Sequence, residues 1–158
     1  MRKKIKVLVV DDSAFMRKVI GDIIQGDVEL ELVGTARNGE DALQKKNLLK
    51  PDVMTLDVEM PKMDGLETLR RLMETEPLPV IMVSSYTQKG SEITLEALSA
   101  GAVDFVAKPS LFKGESTKEL KVILPRKIKA AAGARLYSAP GAKESRAMYD
   151  AERVFPEV

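Results

Sequence analysis

The sequence predicts an α/β domain: a doubly wound, five-stranded parallel sheet with helices on both faces. Three observations lead there. Five short runs rich in Val, Ile and Leu punctuate the first two thirds of the chain, each the length of a strand buried on both faces. Between them lie stretches whose apolar residues recur at helical spacing behind capping residues, and such alternation makes βαβ units with right-handed crossovers. The third is size and balance: 158 residues, 44% apolar and 31% charged, suit one globular domain with a tail.

Ile5–Val10 reads as the first strand. Asp12 or Ser13 caps the helix after it, where Phe15, Met16, Val19, Ile20, Ile23 and Ile24 form the apolar stripe. Leu30–Ala36 is the second strand, and Asn38 caps a helix running to about Leu49, ahead of the Pro51-Asp52 break. Val53–Asp57 is the third strand. Asp64-Gly65-Leu66-Glu67 has the form of a capping box for a helix ending near Glu76. Val80–Ser84 is the fourth strand, followed by a helix over about 91–100 that Gly101 stops. Residues 103–107 form the fifth. A last helix, rich in Lys and Arg, is expected over about 117–135, with Pro125 kinking or splitting it. Its basic face reads either as a solvated surface or as a docking surface. Residues 136–158 lose periodicity and carry Ser, Ala, Pro and Gly, the composition of a linker or tail.

Composition excludes much chemistry. With 25 Lys and Arg against 24 Asp and Glu, the formal charge is +1, which gives no general attraction to nucleic acid or anionic membranes. There is no Cys, hence no disulfide, thiol nucleophile or thiolate metal site. There is no His, so Ser-His-Asp and Cys-His systems are out of reach. Carboxylates, hydroxyls and lysines remain, which points to hard metals and phosphate. No apolar run approaches the ~20 residues of a membrane span, and no signal peptide is visible, so a cytoplasmic location is expected. The scarcity of Asn and Gln suggests a heat-adapted source.

The carboxyl ends of the strands are where open α/β sheets bind ligands. Strand one ends in Asp11-Asp12, strand three in Asp57, strand four in Ser84, and strand five runs into Lys108-Pro109. Three carboxylates on one rim raise one another's pKa unless a cation sits among them, and Mg²⁺ suits a few carboxylates plus phosphate oxygens. Asp57 is a candidate nucleophile toward phosphorus, Lys108 a counter-charge, and Ser84 a hydrogen-bond donor to a phosphate oxygen. Blander readings stand beside these. The aspartates could only cap the first helix, Asp57 could be a satisfied strand-end carboxylate, Ser84 could begin a loop, Lys108 could be a surface lysine, and Phe105 reads as core filler.

VLVVDDS (7–13), TLDVEMPKMDG (55–65), MVSS (82–85) and DFVAKP (104–109) resemble the motifs of response-regulator receiver domains, in order, over about residues 5–125. LDVEMPKMDGLETLRRLM (56–73), the run from Met82 to Ser110, and KIKAAAGAR (127–135) resemble, more closely, the regulatory domain of the bacterial chemotaxis protein-glutamate methylesterase family. The resemblance implies a flavodoxin-like sheet of order 2-1-3-4-5. It also implies phosphorylation at Asp57 by a chemotaxis histidine kinase, with Mg²⁺ on Asp12, Asp57 and the Glu59 backbone carbonyl, and on Asp11 through water. Ser84 and Lys108 would hold the phosphoryl group, Phe105 would be the aromatic switch coupled to Ser84, and the Glu59 side chain would tune phosphoryl lifetime. It further implies a receiver over 1–135 and a linker over 136–158 toward an esterase domain. That domain would demethylate chemoreceptor glutamates and deamidate glutamines, chemistry this chain cannot supply without His. A transcription-factor receiver would need a helix-turn-helix, which the last residues do not suggest. An Asp-x-Asp phosphatase is disfavoured because Asp57-Val58-Glu59 ends in Glu, and no Gly-x-Gly-x-x-Gly follows strand one.

Overall fold

The computed structural model describes residues 3–60, 62–85, 88–110 and 114–136. Strands β1 (Ile5–Val10), β2 (Leu30–Ala36), β3 (Val53–Asp57), β4 (Val80–Ser84) and β5 (Asp104–Ala107) alternate with helices α1 (Ala14–Gln25), α2 (Gly39–Leu49), α3 (Gly65–Glu74), α4 (Gln88–Ala100) and α5 (Lys118–Leu136). All strand pairs are parallel and the order is β2-β1-β3-β4-β5, the flavodoxin-like arrangement expected.

The pleat sorts the apolar runs into two cores. Val7, Val9, Val53, Ile81 and Val83 face α1 and α5, packing on Ile20, Ile24, Leu124 and Ile128. Leu8, Val10, Met54, Leu56, Val80 and Met82 face the other way, onto Ala42 of α2, Leu66, Leu69 and Leu72 of α3 and Ala97 of α4. Burial on both faces leaves no room for polar side chains within β3 and β4, apart from Thr55, until the chain reaches their carboxyl ends. Thus the two-sided hydrophobic code puts chemistry on one rim.

The caps are those the sequence offers. Ser13 Oγ accepts from the Met16 N–H at 3.2 Å, so of the two candidates Ser13 rather than Asp12 caps α1. Asn38 Oδ1 accepts from Asp41 N–H at 2.8 Å, and Asp64 Oδ1 from Glu67 N–H at 2.9 Å. Gly101 closes α4 with φ +122°, a backbone that disfavours L side chains.

Three expectations need correction. Helix α4 starts at Gln88, before the expected 91, and β5 starts at Asp104, one residue late. Helix α5 is one continuous helix with Pro125 inside it, so proline does not split it. The buried stripe Leu120, Leu124, Ile128 and Ala131 lies on both sides of Pro125, and its packing on the sheet outweighs the ~3 kcal/mol an interior proline costs. The linker expected over 136–158 lies, beyond Leu136, outside the described residues.

Candidate functional site

Asp57 ends β3 with only 2% of its surface exposed, and Asp11, just past β1, is fully buried. Carboxylate oxygens of Asp11, Asp12 and Asp57 all lie within 4.8 Å of one another. Parallel pairing of β1 with β3 brings the strand ends level and sets the acids side by side. Asp11 is held by its surroundings. Its Oδ1 accepts from the Ser13 N–H at 2.9 Å, and its carbonyl accepts from Arg17 Nη1 at 2.8 Å. Asp57 Oδ1 accepts from the Glu59 N–H at 3.3 Å. Lys108 arrives on the end of β5, whose ladder with β4 is extended by its N–H donating to the Ser84 carbonyl at 2.7 Å. Its Nζ stands 3.3 Å from Asp11 Oδ2 and 3.4 Å from Asp57 Oδ2.

One ammonium facing three carboxylates leaves the cluster short of positive charge. Burial first, and then the Asp11 charge, push Asp57 up to about 7 despite Lys108. Burial likewise raises Asp11, opposed by the Ser13 N–H and by Lys108. Burial alone would lower Lys108, but Asp11 and Asp57 outweigh it and raise its pKa. Asp11 Oδ2 is buried and, although within ion-pair range of Lys108, lacks an aligned hydrogen-bond donor. An orphaned carboxylate oxygen in an acid-rich, half-dry pocket with Asp12 open to solvent is what a hard divalent cation fits.

Asp11, Asp12, Asp57 and Lys108 therefore converge. Ser84 is buried beside them on β4, its Oγ donating to the Ser85 carbonyl at 3.2 Å rather than to a carboxylate. Glu59 follows Asp57 on the exposed surface, and its N–H already serves that carboxylate. Phe105 departs from the core-filler reading: β5 is the sheet edge, and 45% of the residue is exposed, with Lys127 Nζ 5.2 Å from the ring centroid. Sequence reasoning missed two supports. Arg17 holds the Asp11 carbonyl, and its only local signal is its place one turn into α1. Gly65 brings α3 so close to β3 that a Cβ there would lie 2.3 Å from the Asp57 carbonyl oxygen. Its N–H donates to the Val58 carbonyl at 3.0 Å.

An acidic pocket with one lysine, set at the carboxyl ends of a 2-1-3-4-5 sheet, agrees with what the whole chain resembles. Residues 7–117 match the response regulator receiver domain, and the chain belongs to that family. Within it the chain is a receiver of the protein-glutamate methylesterase/protein-glutamine glutaminase type. It is 57% identical over 136 residues to that protein from Halalkalibacterium halodurans, covering 86% of this chain and 39% of the relative. It is 64% identical over 108 residues to the one from Geobacillus kaustophilus, covering 68% and 31%. The response regulator domain of Thermotoga maritima CheB superposes with a TM-score of 0.75 at 47% identity, over 83% of this chain and 98% of that one. A chain of the CheX–CheY–BeF3–Mg complex from Borrelia burgdorferi superposes with a TM-score of 0.60 at 35% identity, over 68% and 81%. The chain thus matches only 39% and 31% of the length of these two curated relatives. None of the described helices is long and apolar enough to cross a membrane.

Proposed function

We propose that this chain is the phosphorylation-controlled regulatory unit of a chemotaxis protein-glutamate methylesterase, with its receiver over residues 1–135 and a linker over 136–158. The observation that carries the reading is a buried carboxylate, Asp57, set among two more carboxylates and one ammonium at the carboxyl end of the sheet. An Asp57 carboxylate oxygen attacks phosphorus of a phosphohistidine on the chemotaxis histidine kinase. The P–N bond breaks, the imidazole nitrogen leaves with the electron pair, and a mixed anhydride forms on Asp57. Water later attacks phosphorus and returns the carboxylate and inorganic phosphate. Lys108 moves from the carboxylates to the developing phosphoryl charge, and Ser84 turns its hydroxyl from the Ser85 carbonyl to a phosphoryl oxygen.

Asp12, Asp57 and the Glu59 carbonyl, with Asp11 through water, would hold Mg²⁺, which supplies charge neutralisation for phosphoryl transfer. Phe105 shares a sheet face with Ser84 and is the aromatic that responds to it. Having no hydroxyl, it responds by packing alone. The response relieves inhibition of a methylesterase domain acting on chemoreceptors, with deamidation as a second activity, in the cytoplasm. Neither nucleic acid nor membrane insertion enters the reading.

Acetyl phosphate with Mg²⁺ tests it directly. Phosphate-affinity gels should show stoichiometric, acid-stable and alkali-labile labelling of the chain, lost in Asp57→Asn and on chelation. Undiminished labelling of Asp57→Asn would refute the assignment.

A further inference from the structure

Lys127 of α5 is spent almost wholly on one short piece of β5. Its Nζ donates to the Phe105 carbonyl at 2.7 Å and to Asp104 Oδ1 at 3.0 Å, and it stands 5.2 Å from the centre of the Phe105 ring. The Phe105 N–H in turn donates to Asp104 Oδ1 at 2.8 Å. Both main-chain polar groups of Phe105 therefore meet side chains, as befits the outer side of an edge strand that no further strand covers. Lys127 closes that edge and, in the same act, places a cation on the aromatic ring.

The ring's position connects it to the site. Val106 packs in the α1/α5 core, so its neighbour Phe105 points to the opposite face. Phe105 pairs with Met82, which lies in the other core, and Ser84 stands two residues further along β4 on the same face. Phe105 and Ser84 are thus neighbours on one face, with Lys127 reaching round the edge to hold the first of them outward.

We propose that Lys127 is a latch on Phe105. It favours the outward ring while Asp57 is unloaded, and loading of Asp57 must break the contact between cation and ring. Lys127 is then a positioning residue acting through Phe105, and it sets how readily Asp57 accepts a phosphoryl group. The proposal rests on the receiver reading above: only if Ser84 turns toward a phosphoryl oxygen does the shared face open for the ring.

The test uses the full chain, acetyl phosphate and Mg²⁺, with labelling rate and the ¹⁹F signal of fluorophenylalanine at position 105 as readouts. Lys127→Met should raise the initial labelling rate about two- to fivefold, the effect of removing one exposed contact between a cation and a ring. It should also move the unloaded Phe105 signal toward its loaded position. Lys127→Arg, whose guanidinium stacks on an aromatic face, should restore wild-type behaviour in both readouts. In a Phe105→Leu background Lys127→Met should change nothing. A Lys127→Met chain labelled at the wild-type rate, or an equal gain in the Phe105→Leu background, overturns the latch. Absence of labelling in the wild type overturns the receiver reading and the latch with it, whereas a labelled wild type with an indifferent Lys127→Met removes the latch alone.

Discussion

Asp57 shows how a single side chain can work against its own fold. Its pKa near 7 lies above the ordinary 3.8, so the folded chain holds a proton there that the unfolded chain releases. By linkage the stabilising contribution is complete below about 3.8 and is lost as pH rises through about 7. Metal-free protein should therefore lose on the order of 4 kcal/mol between pH 4 and pH 8, a loss that urea titrations of Asp57→Asn should show greatly reduced. Mg²⁺ at pH 8 should raise the wild-type melting temperature and leave Asp57→Asn largely unmoved. Thr55 is a second buried polar side chain, its hydroxyl without a partner in the middle of β3. Thr55→Val should add about 1 kcal/mol of stability in the same titration, because it removes an unsatisfied group and keeps the shape. Of the residues that gather in the pocket, Asp11, Asp57 and Lys108 were legible because apolar runs end abruptly in charges. Phe105 was misread because local sequence does not show that its strand is an edge. Arg17 was invisible because its partner is a main-chain carbonyl, which leaves no trace in side-chain patterns, and Lys127 because its partners, Asp104 and Phe105, lie 23 and 22 residues away in the chain.

Among the elements, α3 is set hard against the backbone of β3. Its first residue, Gly65, would bring a Cβ to 2.3 Å from the Asp57 carbonyl oxygen and 2.9 Å from Val58 Cα, both backbone atoms that cannot swing aside. Gly65→Ala should therefore cost on the order of 2–4 kcal/mol, read by chemical denaturation. It should also slow acetyl phosphate labelling, since relief of the clash has to move either α3 or the end of β3. Strand and helix limits followed the sequence closely wherever a cap or a charged strand end marks them, as at Ser13, Asn38, Asp64 and Asp57. They slipped where the cause is tertiary. Pro125 would break an isolated helix, yet α5 is decided by the leucines and isoleucine it buries in the sheet.

Across the whole molecule, stability has two opposed pH limbs. Lys129 on α5 reaches Asp27 at 2.8 Å and Glu29 at 3.5 Å, tying the last helix to the loop between α1 and β2. The hydrogen bond from Lys129 holds Asp27 below its ordinary value, and such a carboxylate stabilises the fold above that value and loses the contribution as pH falls below it. Asp27→Asn should accordingly flatten the acid limb below about pH 4 in thermal melts, while leaving the Mg²⁺-sensitive limb near pH 7 in place. The contact between Lys108 and Asp11 joins residues 97 apart in the chain, and the one between Lys108 and Asp57 spans 51. During synthesis, then, Asp57 leaves the ribosome long before its counter-charge does. A nascent chain that ends ahead of Lys108 carries Asp57 without the ammonium that stands beside it. The charge balance of the cluster is for this reason an all-or-none property of the folded domain, acquired only when β5 has docked.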